Sequence, residues 1–81
     1  MSNGTRVDGA EFIRQIKKAP AFAIMKDGKR ELILHVRKND DEMDTFLGPD
    51  FTTMKDVEIA SFKEEVMETL RNPAIRENRL F

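Results

Sequence analysis

Eighty-one residues hold one domain, with about 60–65% of the unfolded chain's surface buried on folding and no cysteine for a disulfide or Cys-based zinc site. A composition 40% hydrophobic and 36% charged excludes a disordered chain, and no apolar run approaches the roughly 20 residues that cross a bilayer. The net charge of −1 hides an asymmetry: residues 1–38 carry nine Lys/Arg against four Asp/Glu, residues 39–70 two against ten, and residues 71–81 three against one.

The opening MSNGTRV has no apolar core. It reads as a flexible start over 1–7 without a signal peptide, so a cytoplasmic location is expected. A helix is predicted over 9–18. Asp8 is its N-cap, Glu11 closes a capping box, and Val7 packs on Phe12 as a hydrophobic staple. Phe12, Ile13 and Ile16 form its apolar stripe, and Lys17 and Lys18 sit where the helix dipole favours positive charge. Pro20 stops it, because the residue before a proline leaves the α region.

Residues 21–37 read as a β-hairpin around Asp27-Gly28. A two-residue loop there scatters apolar side chains over both faces. A three-residue loop, Lys26-Asp27-Gly28 with Gly28 left-handed, shifts the pairing by one. Phe22, Ile24, Leu32, Leu34 and Val36 then share one face; Ala21, Ala23, Met25, Glu31, Ile33, His35 and Arg37 share the other. Burial selects the second register, since a one-residue slip reverses every side chain.

Residues 38–53 form a polar connection with a short strand expected at Thr45-Phe46-Leu47 and a turn at Gly48-Pro49-Asp50. Ile59, Phe62, Val66 and Leu70 fall on one helical face, which predicts a helix over 54–71 capped by Thr53. Ser61 with Glu64 is a rival cap that would leave 57–60 as a strand. Asn72-Pro73 ends the helix, and 72–81 is a tail bearing Ile75, Leu80 and Phe81. The expected fold is a small α+β single domain, α-β-β-(β)-α, with the antiparallel hairpin sheet packed against N- and C-terminal helices.

Little in the chain suggests catalysis. His35 is the only histidine, no cysteine nucleophile exists, and no G-x-S-x-G elbow occurs. The acidic run Asp40, Asp41, Glu42, Asp44 fails as a calcium loop: Thr45 stands where glycine is required and Phe51 where glutamate is. The glycines are scattered and build no phosphate loop. No metal or cofactor is expected, and the chain reads as a non-enzyme. The lead reading is a small protein-binding regulator or inhibitor that masks a partner's surface. Its contact residues would be Glu31, His35 and Arg37 on the lighter sheet face, the acidic loop Asp40, Asp41, Glu42 and Asp44, and the tail residues Arg76, Arg79, Leu80 and Phe81. A second copy of the chain is a further candidate partner, because so small a core invites self-association.

The run EFIRQIKKAPAFAIMKDGKRELILHV (11–36) followed by an acidic connection resembles the N-terminal domain of Phd/YefM-type antitoxins. That family carries a strand before the first helix, where this chain has the polar MSNGTRV. The resemblance implies an alternative function, a DNA-binding transcriptional regulator that dimerises and holds a partner protein with its C-terminal segment. Lys17, Lys18, Lys26, Lys29 and Arg30 would then meet phosphates. A pI of about 5.8 is low for that role.

Overall fold

The computed structural model describes residues 4–27 and 30–77, apart from the side chains of Lys26 and Asp27. The chain runs β1 (Gly4–Arg6), α1 (Gly9–Lys18), β2 (Phe22–Asp27), β3 (Glu31–Arg37), β4 (Met43–Leu47), a 3₁₀ turn (Phe51–Thr53), α2 (Asp56–Leu70) and α3 (Pro73–Arg76). The strands form one mixed sheet in the order β1-β4-β3-β2. β1 lies parallel to β4, and the other neighbours are antiparallel. The α+β architecture is the one the sequence predicts, with a fourth strand added.

That strand corrects the expected flexible start. Residues 4–6 pair with 45–47, the Val7 amide donates to the Leu47 carbonyl at 2.8 Å, and the Arg6 guanidinium donates to the Gly48 carbonyl at 2.6 Å. A three-residue strand this polar is held by its partner rather than by its own propensity.

α1 has its predicted bounds. The Glu11 amide donates to Asp8 Oδ1 at 2.8 Å, and Phe12, Ile13 and Ile16 are buried. Only half of the capping box forms. The Glu11 carboxylate accepts from Gln15 Nε2 at 2.6 Å and pairs with Arg14 at 2.9 Å, so it is drawn along the helix surface rather than back to the cap.

In the hairpin, Phe22 pairs with Val36, Ile24 with Leu34 and Asp27 with Glu31. Three residues separate the last pair, but they are 28–30 rather than 26–28; the conformation of Gly28 lies outside the described residues. A loop two residues further along keeps every side chain on its expected face, because the alternation has period two. It also sets Phe22 and Ile24 against Val36 and Leu34, giving the larger apolar pairs.

β4 starts two residues earlier than expected, since the β3–β4 connection closes tightly: the Lys38 amide donates to the Glu42 carbonyl at 3.0 Å. At Gly48 a Cβ would lie 3.2 Å from both the Leu32 carbonyl oxygen and the Phe12 ring, so glycine permits the close approach of α1 to the sheet. α2 begins at Asp56, not 54. Thr53 is taken up in the 3₁₀ turn, and the N-cap is Lys55, whose amide donates to Glu58 Oε1 at 2.9 Å. Residues 57–60 are helical. Part of the predicted tail is also helical: Asn72 Oδ1 accepts from the Ala74 amide at 3.0 Å, and Pro73 occupies the first turn of α3, where its missing N–H costs nothing.

The core lies on one side of the sheet. Phe12, Ile16, Phe22 and Leu34 are fully buried, joined by Phe51, Phe62, Val66 and Ile75. Phe62 meets Phe12 edge-on at 5.4 Å and Phe51 at 6.2 Å. Side-chain parity places Phe22, Leu32, Leu34, Val36 and Phe46 on this helix-covered face.

Candidate functional site: the open sheet face

The alternate residues of the same strands build the opposite face. β2 contributes Ala23 and Met25, β3 contributes Ile33, His35 and Arg37, and β4 contributes Met43, Thr45 and Leu47. β1 adds Gly4 and Arg6 beside Thr45 and Leu47. None of the core helix residues belongs to this layer; their cluster is the other face. Met25 is 47% exposed and Met43 50% exposed, while Ile33, His35, Thr45 and Leu47 are half-buried. Met25, Ile33 and Leu47 line up across β2, β3 and β4 as an apolar strip, Met43 stands beyond the His35–Thr45 pair, and both exposed methionines adapt their shape to different contacts.

Polar groups punctuate the strip. His35 Nδ1 lies 3.1 Å from Thr45 Oγ1, its cross-strand neighbour, which fixes the ring on the sheet. Arg37 is exposed at the end that carries Met43. At the other end the Arg6 guanidinium forms an ion pair with Glu31 Oε1. Glu31 is 6% exposed, and Arg6 ties β1 to β3 across the end of β4. Nearby, Arg30 approaches Asp50 at 3.7 Å. Hydrogen bonds from the Thr52 side chain and backbone hold the Asp50 carboxyl below its ordinary pKa, and the positive charges of Arg30 and Arg6 act in the same direction.

The nominated contact residues therefore divide. His35 and Arg37 lie on the open face. Glu31 shares its parity but is committed to Arg6 within the fold. Asp40, Asp41 and Glu42 are exposed on the β3–β4 connection, where Asn39 Nδ2 donates to Glu42 Oε1 at 2.9 Å and Asn39 Oδ1 accepts from the Asp41 amide at 2.9 Å. Asp44 pairs with Val36, so it sits on the helix-covered side. Arg76 is exposed on α3; Arg79, Leu80 and Phe81 lie outside the described residues. Met25, Ile33, Met43 and Leu47 were not nominated by the sequence, although the parity of β2 and β3 already set Met25 and Ile33 beside His35. Met43 and Leu47 needed the pairing of β4, which no local pattern supplies.

The basic set separates too. Lys17 and Lys18 are exposed at the end of α1, which leads into the start of β2. Arg30 belongs to the hairpin turn at the other end of β2, about 17 Å of strand away. Lys29 and the Lys26 side chain lie outside the described structure. Among the described residues no group of three His, Cys, Asp or Glu could hold a metal ion, and no helix is long and apolar enough to cross a membrane. A shallow cleft between α1 and α2, lined by Gly9, Ala10, Val57 and Phe62, has two carboxylates, Glu58 and Glu65, at its border.

Comparison with family models, with curated proteins and with solved structures gives no match for this chain.

Proposed function

We propose that this chain is a non-enzymatic protein-binding module that regulates or inhibits a partner by covering part of its surface. The contact surface is the open sheet face. One observation carries the reading: the helices pack on a single side of the four-stranded sheet, leaving on the other Met25, about half exposed in one row with Ile33 and Leu47, and Met43, equally exposed beside Arg37 at the opposite end. An apolar strip of this kind, edged by polar and charged side chains, suits a protein surface better than a small molecule, because it encloses no deep cavity. Arg37 at one end favours a partner with an acidic group beside its own apolar patch.

The test compares two methionines of nearly equal exposure, Met43 on the sheet and Met67 on α2. Tagged wild-type protein, Met43→Lys and Met67→Lys are used to capture partners from the native lysate, after their melting curves are matched. The reading expects the wild type and Met67→Lys to retain the same protein and Met43→Lys to lose it. Equal retention by all three contradicts it.

A second reading, the DNA-binding regulator of antitoxin type, draws support from β1, a strand before the first helix as that family carries. Its test is retention on generic DNA at low salt with a steep loss as salt is added. The absence of retention removes it.

A further inference from the structure

The two edges of the sheet are unlike. β1 offers three residues, whereas β2 offers six, Phe22–Asp27, at the opposite edge. The direction of the β2 backbone groups follows from its ladder. The Arg37 amide donates to the Ala21 carbonyl at 2.9 Å, and these residues continue the β2–β3 register. In an antiparallel pair, bonded and non-bonded positions alternate. Ala23 and Met25 therefore bond inward to β3, and the N–H and C=O of Phe22, Ile24 and Lys26 point outward from the sheet. The β3–β4 side agrees: the Lys38 amide bonds Glu42 and the Gly48 amide bonds Leu32, so the even positions of β3 serve β4 and its odd positions serve β2. Phe22 and Ile24 have no hydrogen-bond partner on this edge among the described residues.

We infer that β2 pairs with β2 of a second copy, antiparallel and centred on Ile24, to form a two-fold dimer with a continuous eight-stranded sheet. This rests on the hydrogen-bond geometry of β2 and is independent of what the open face binds. Four features favour a second copy as the occupant. The register is self-consistent, since outward-bonding Ile24 meets Ile24 of the partner copy and Phe22 meets position 26, all in bonded positions. The charges are placed for it: Lys26 and Asp27 lie at one end of the strand and Ala21 and Phe22 at the other, so antiparallel pairing sets charged positions against apolar ones, whereas parallel pairing sets like against like. Side-chain sizes match on the open face, where Met25, 47% exposed, comes opposite buried Ala23. Finally, each chain has one long edge, so a two-fold pairing consumes it and leaves only the short β1 edges outside; the assembly closes instead of growing into a fibre. Within 21–25 the strand carries no charge or proline to deter pairing, and Pro20, lacking an N–H, ends the ladder.

The test is the molar mass in solution, by sedimentation equilibrium from micromolar to millimolar protein, with amide exchange read at Phe22 and Ile24. The wild type is expected to reach twice the 9.4 kDa chain mass, with both amides gaining protection as the concentration rises. Ile24→Pro removes an outward N–H without touching the β2–β3 ladder, and Met25→Lys places a charge at the edge; each is expected to return the protein to a monomer. If Ile24→Pro does not fold, Met25→Lys decides. Met43→Lys, on β4 and two strands away from β2, is expected to keep the dimer even where it loses partner capture. A wild type that stays monomeric throughout overturns the inference. So does a dimer that survives Met25→Lys, or one that Met43→Lys dissolves.

Discussion

Asp50 shows how one side chain does several jobs. It accepts from the Thr52 amide at 2.9 Å and from the Thr52 hydroxyl at 2.6 Å, and it faces Arg30. These contacts favour the charged carboxylate, so its pKa is lowered in the folded state. A lowered folded pKa stabilises the protein above the unfolded value, and the contribution is lost as pH falls through the folded one. Asn caps about as well as Asp but carries no charge. Asp50→Asn is therefore expected to melt below the parent at neutral pH, with the gap closing below about pH 4. Parallel melting curves at both pH values, with a constant gap, would show that the charge is irrelevant. The sequence marked Asp50 only as a turn residue, since its partners come from the 3₁₀ turn and from the approach of the hairpin turn: the Phe51 amide bonds the Arg30 carbonyl at 2.7 Å.

At the scale of elements, legibility followed locality. The bounds and buried stripe of α1 were readable because its cap, stripe and proline stop lie close together in sequence, and only the return half of its capping box failed to form. α2 was readable in phase, and Phe62 and Val66 are buried as the spacing requires, while Ile59 and Leu70 are half-buried at the flanks. Its start was misplaced because Thr53 closes the preceding turn instead. Phe62 sits between Phe12 and Phe51 and joins α2 to α1 and to the 3₁₀ turn. Phe62→Ala is expected to cost roughly 3–5 kcal/mol in chemical denaturation. A loss below about 1 kcal/mol would mean that α2 does not anchor the core through this ring. The hairpin faces were legible and its loop was not. Side-chain parity survives a two-residue displacement of the turn, so hydrophobic patterning alone cannot place it.

The whole molecule is a two-layer arrangement in which the second face of the sheet carries no layer of its own among the described residues. The helices and their apolar faces cover one side of the sheet, and the strands present a second, lighter side to the exterior. The sequence hinted at this through Met25 and Ile33 alternating with Phe22 and Leu34. It could not show β1, whose pairing with β4 spans some forty residues and completes the open face with the Arg6–Glu31 pair. A soluble paramagnetic probe with side-chain NMR, at protein concentrations where the chain is monomeric, tests the openness of that face directly. The Met43 methyl is expected to broaden as strongly as that of Met67, with His35 and Thr45 affected as well, while Ile16 and Leu34 stay sharp. If Met43, His35 and Thr45 stay as sharp as Leu34, the sheet is covered on both sides and the proposed contact surface does not exist.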